Sequence, residues 1–106
     1  MTTVFRLPAV ERRHHVAAFR RTIVALELGR AVDERELLVG QLDTVAVGSP
    51  SDVAIIKGLP GYYGKAIPLA TIASIRSATN EERLAYLATV DEARVELEHR
   101  AQEAGR

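Results

Sequence analysis

A chain of 106 residues, 47% apolar and 26% charged, is the size of one domain with its own core and lies far from the low-hydropathy, high-charge regime of disorder. The formal net charge is zero, and the absence of cysteine removes disulfides, thiolate nucleophiles and Cys-based zinc sites from consideration. A cytoplasmic protein without a membrane segment is expected, because no apolar run approaches the roughly 18 residues of a bilayer span and the N-terminal stretch lacks the apolar centre of a signal peptide.

Twelve arginines against two lysines, with abundant alanine and valine, read as the coding bias of a high-GC genome. The charge is unevenly spread: residues 1–30 carry +4, residues 31–56 carry −4, residues 57–79 carry +3 and residues 80–106 carry −3.

From Pro8 to Leu28 the pattern predicts one helix, with proline in its first turn, Val16, Phe19, Ile23 and Leu26 at helical spacing, and Gly29 as a C-cap. Asp33 and Glu36 have capping-box character, and Leu37, Leu38 and Leu42 follow on one side, so a second helix is expected to about Val45. Residues 48–68 hold Gly48, Gly58, Gly61 and Gly64 with Pro50, Pro60 and Pro68, which marks a corner.

Within that corner, Ser51 to Lys57 reads as a short helix capped by Ser51. A strand over 53–56 is the alternative, for which Val45-Ala46-Val47 is the one plausible partner. A further helix is expected from Pro68 to Thr79, with Leu69, Ile72 and Ile75 on one face. The last and longest runs from an Asn80 N-cap to Ala104, with Glu81 and Glu82 at the positive end of its dipole. The fold expected from these elements is all-α: a single helical domain over 1–106, a compact bundle of four or five helices with long first and last helices and a Gly/Pro-rich middle corner.

The final helix carries two apolar stripes, Leu84, Leu87, Ala88 and Val95 on one side and Tyr86, Val90, Ala93 and Leu97 on another. One helix in a small domain rarely needs two buried stripes: either the helix is wedged between neighbours in its own domain, or one stripe serves another chain. Tyr86, Val90, Ala93 and Leu97 are assigned to contact between chains, as a homodimer or with a protein partner. The alternative is nucleic acid. Arg12, Arg13, Arg20 and Arg21 lie on the first helix, and Lys57, Lys65 and Arg76 occupy a 57–76 segment without an acid; a loose helix-turn-helix over 51–57 and 68–78 would put Tyr62, Tyr63 and Lys65 in an aromatic, basic loop.

Glu11-x-x-His14 and Glu96-x-x-His99 have the spacing of carboxylate and imidazole ligands in di-iron bundles, but Glu11 and His14 lie well round the helix from its apolar stripe, so no metal is expected. No Gly-x-Ser-x-Gly elbow, phosphate-binding glycine loop or His-Glu-x-x-His is present, and no catalysis or cofactor is expected. The function these features suggest is a small non-catalytic binding or adaptor protein working through self-association and protein contacts, with a nucleic-acid-binding regulator as the alternative.

Overall fold

The computed structural model describes residues 3–49 and 51–105, so the turn expected at Pro50 lies outside the described residues. Its architecture is mixed α/β and replaces the all-α bundle: five antiparallel strands form a sheet, and two α-helices accompany it. In chain order these are α1 (Ala9–Ala17), β1 (Ile23–Leu28), β2 (Glu36–Ala46), β3 (Val53–Ile56), β4 (Lys65–Pro68), β5 (Ile72–Ser77) and α2 (Asn80–Ala104).

The expected first helix stops halfway. Pro8 leads into α1, which ends at Ala17; the Thr22 hydroxyl then donates to the Phe19 carbonyl at 2.6 Å. Arg21 takes the left-handed φ of 64°, which turns its amide onto the Leu42 carbonyl at 2.7 Å. Beyond this turn Ile23 and Val24 are β-branched, and Val24 and Leu26 alternate into the core. Ile23 and Leu26 fit helical spacing from Phe19, yet Val24, Leu26 and Leu28 fit a period of two equally well. The strand period prevails because β1 finds partners on both sides, β2 and β5.

The expected second helix is β2. Its alternation puts Leu42 inside, wholly buried, and leaves Leu37 56% exposed, although a helix would have grouped them. The Asp33 region is a 3-10 turn, Val32–Glu34, rather than a helix cap. Residues 53–56 are the strand alternative: Val53 pairs with Ala46 and Ala54 with Val45, using the partner segment recognised in the sequence.

Leu69, Ile72 and Ile75 do share a buried face, but not on a helix. Leu69–Thr71 is a 3-10 turn, and a register shift between β1 and β5 leaves Ala73 unpaired, so Ile72 and Ile75 both face inward from one strand. A bulge thus imitates helical spacing, and the helix-turn-helix over 51–57 and 68–78 is replaced by strands.

The strand order β4-β3-β2-β1-β5 places β4 and β5 at opposite edges. Four strand spacings would separate those edges by about 19 Å in a flat sheet, yet the 3-10 turn joining them advances only about 6 Å. The sheet is therefore rolled upon itself, with β2 bending where its first half pairs β1 and its second half pairs β3. Inside lie Val24, Leu26, Leu42, Ala54, Ile56, Leu69, Ile72 and Ile75, and Val16 of α1 with Val4 of an N-terminal 3-10 turn completes the core.

α2 keeps its expected identity over its full length. Its N-cap is Thr79 rather than Asn80, in a reciprocal capping box with Glu82. No helix is long and apolar enough to cross a membrane among the described residues.

Candidate binding cleft

The cleft between α2 and the rolled sheet follows from how the β3–β4 loop folds. After Ile56 the chain runs through Gly58, Leu59 and Pro60 and returns at Gly64. A Cβ on Gly58 would sit 2.3 Å from the Tyr62 carbonyl oxygen, and one on Gly64 would sit 2.5 Å from that of Ile56. Only glycine permits this close doubling back. The fold presents Tyr62 and Tyr63 outward, 57% and 100% exposed, on a loop tightened by the Tyr62 amide donating to Leu59 at 2.8 Å.

Across from the loop, α2 is fastened at two points. At its start, Thr79 Oγ1 accepts from the Glu82 amide at 3.1 Å and Glu82 Oε1 accepts from the Thr79 amide at 2.8 Å. Arg76 closes on the same carboxylate with two bonds, 2.6 and 3.0 Å. The Arg76 guanidinium foremost, and the Thr79 amide after it, pull the Glu82 carboxyl down to about 2. Farther along, Leu97 lies over Gly61, where a Cβ would come within 3.3 Å of its Cδ1. The Arg100 guanidinium there is held above its usual range by the Glu96 carboxylate and, secondarily, by the Tyr62 hydroxyl.

Between these fastenings remains a cleft of about 600 Å³. Its floor is apolar, from Leu37, Leu38, Val39 and Gly40 of β2 with Ile56 of β3. One wall is the loop, with Leu59, Tyr62 and Tyr63, and the other is Ala85, Tyr86 and Thr89 of α2. Lys57, Lys65 and Glu82 supply its charge. Glu82 is committed to Arg76 and Thr79, whereas neither lysine has a carboxylate partner among the described residues. All three tyrosines and both lysines of the chain line this one cleft.

The sequence-derived nucleic-acid set is divided. Arg12 is half-buried and donates to the Leu7 carbonyl at 3.0 Å, and Arg13 binds Asp52 at 2.9 Å. That bond from Arg13 is the chief reason the Asp52 carboxyl lies below its ordinary range. With Arg76 on Glu82, three of the seven cations are occupied in holding the fold. Arg20, Arg21, Lys57 and Lys65 are exposed and have no carboxylate partner among the described residues.

On α2 the stripe containing Tyr86, Val90, Ala93 and Leu97 is the more buried one, with Ala93 only 8% exposed. The opposite stripe is open, with Leu84 61% and Val95 64% exposed. His99 lies beside Glu103 at 3.1 Å on the exposed helix, and no three metal-ligating side chains converge among the described residues.

Sequence reasoning missed the cleft floor of Leu37, Val39, Gly40 and Ile56, and the wall residues Leu59, Ala85 and Thr89. The available signal was Lys57 to Lys65, where aromatic and basic residues sit between three glycines. Comparison with models of known protein families, with curated proteins and with solved structures finds no match.

Proposed function

We propose that this protein is a non-catalytic binding module whose cleft takes an anionic ligand bearing a flat, apolar group. The observation that carries this reading is the gathering of all the tyrosines and lysines on an apolar floor, beside a carboxylate already neutralised by Arg76. The volume lies within the range of small-molecule sites, which are apolar clefts with a few convergent polar groups. Aromatic faces suit a planar group, and the two free ammonium groups favour negative charge at its edge. A cysteine-free chain suits a reducing compartment, and we place the module in the cytoplasm.

The test is a titration with anilinonaphthalene sulfonate beside the neutral phenylnaphthylamine, followed by dye fluorescence. Two exposed ammonium groups worth about 0.2–1 kcal/mol each predict a preference for the sulfonate of about two- to thirtyfold, absent in Lys57→Ala/Lys65→Ala. Equal binding of the two dyes, or binding unaffected by Tyr86→Ala, would refute the reading.

The exposure of Leu84, Leu87 and Val95 favours a second reading, self-association or protein contact through the open stripe of α2. It predicts a dimer by light scattering that Leu84→Glu/Val95→Glu converts to a folded monomer; a monomeric parent removes it.

A further inference from the structure

Resting on the cleft as a site for an anionic ligand with an apolar group, we propose that its occupant is an extended acidic peptide of a partner protein, which adds a strand to the open edge of β2. The Leu42 amide donates to the Thr22 carbonyl at 3.0 Å, so the backbone groups of Leu42 face β1. Those of Gln41 face the other way, where its carbonyl accepts from the Lys57 amide at 2.9 Å. Backbone direction alternates along a strand, and residues 36–41 keep an unbroken register with β1, so Leu37 and Val39 face the same side as Gln41. On that side β3 pairs β2 only between Leu42 and Ala46. Past Lys57 the chain turns away, and the N–H and C=O groups of Leu37 and Val39 have no backbone partner among the described residues.

The cleft is the space left where β3 stops short. Leu37, Leu38, Val39 and Gly40 are successive residues whose side-chain directions alternate, yet all four line it, as they do where a groove runs along the edge of a strand. Donors and acceptors at every second residue, about 7 Å apart, match the backbone of an extended peptide rather than a compact anion. From Gln41 to Leu37 the edge is about 14 Å long, room for about five residues. The charge of the cleft selects an acidic one. Glu82 is committed to Arg76 and Thr79, which leaves Lys57 and Lys65. Lys65 stands opposite Ile56 and Lys57 follows Ile56 in the chain, so their stems leave opposite faces of the sheet. The side chains of an added strand also alternate, and a carboxylate on either face has a lysine on its side.

The probe is a labelled peptide of about eight residues alternating aspartate with valine and tyrosine, followed by fluorescence anisotropy and by amide hydrogen exchange of the protein. In the free protein the Leu37 and Val39 amides should exchange at least about tenfold faster than those of Leu38 and Gly40, which face β1. Saturating peptide should slow Leu37 and Val39 at least about tenfold, leave Leu38 and Gly40 unchanged, and displace the sulfonate dye. The same peptide with asparagine for aspartate should bind about two- to thirtyfold more weakly. Binding without protection at Leu37 and Val39, equal affinity for the uncharged peptide, or equal competition by a single-stranded oligonucleotide overturns the proposal. Protection at Leu37 and Val39 that rises with the concentration of the protein alone assigns the edge to a second copy and also overturns it. If the sulfonate dye binds and the peptide does not, this inference fails while the cleft reading stands; if neither binds, both fail.

Discussion

Gly40 lies midway along β2, on the cleft floor and facing the core, and a Cβ there would stand 2.9 Å from Ile56 Cγ2. Ordinary carbon contacts fall at about 3.5–4.0 Å, so Gly40→Ala requires a displacement of about 0.6–1.1 Å. Ile56 is only 5% exposed and belongs to the buried cluster, which leaves it little room to yield. The expected cost is about 1–3 kcal/mol, the usual penalty for overfilling a packed core. Ile56→Ala alone should cost about 2–5 kcal/mol through the space it vacates. In the double variant the added methyl meets that space rather than Cγ2, so the two losses should fall short of their sum by about 0.5–3 kcal/mol. Urea unfolding followed by far-UV circular dichroism, with unchanged m-values, measures all four corners of the cycle. Additivity to within about 0.5 kcal/mol would show that Gly40 and Ile56 do not share this space, and the description of the cleft floor would be wrong.

Leu42→Ala should cost about 2–5 kcal/mol, whereas Leu37→Ala, on the exposed side of the same strand, should cost well under about 1 kcal/mol; equal losses in thermal melts would contradict the strand register. Glu82 and Asp52 both have carboxyl pKa values lowered in the fold, so their contribution is complete above the unfolded values and fades as pH falls through the folded ones. For Glu82 that window runs from about 4.5 to about 2, and the urea midpoint should decline across it less steeply in Glu82→Gln than in the parent; parallel declines would remove Glu82 from the linkage.

The elements legible in the sequence were those whose signals are local. α2 is announced by a run from residue 80 to 104 without glycine or proline, although its N-cap is Thr79, one residue before the Asn80 expected. The strands were misread because their apolar residues satisfy two periods at once. Val24 and Leu26 alternate, but Ile23 and Leu26 also continue the spacing of Val16 and Phe19. Leu69, Ile72 and Ile75 keep a spacing of three because a 3-10 turn and a bulge, not a helix, bring them to one side. What decides between the periods is hydrogen bonding to a neighbouring strand, and β1 finds β5 some fifty residues away. A pattern read within a window cannot contain that partner.

The site was legible in pieces for the same reason. Tyr62, Tyr63 and Lys65 were recognisable as one aromatic, basic loop and Lys57 as part of the same acid-free segment, while Tyr86 was assigned to a separate stripe for a different partner. They meet because α2 leaves the end of β5 and passes over the doubled-back β3–β4 loop, a course on which Leu97 lies over Gly61. The cations that hold the fold are arginines, although Arg20 and Arg21 are not so used. Arg76 grips Glu82 with two nitrogens and Arg13 holds Asp52, where a planar guanidinium can satisfy fixed acceptors. The two lysines stand at the cleft without carboxylate partners among the described residues, as flexible point charges that hold no part of the fold in place. In a chain with six arginines for each lysine, both lysines line the cleft and neither forms an ion pair among the described residues, so Lys57→Ala/Lys65→Ala should spare folding and, on the proposed reading of the cleft, impair binding of the sulfonate dye.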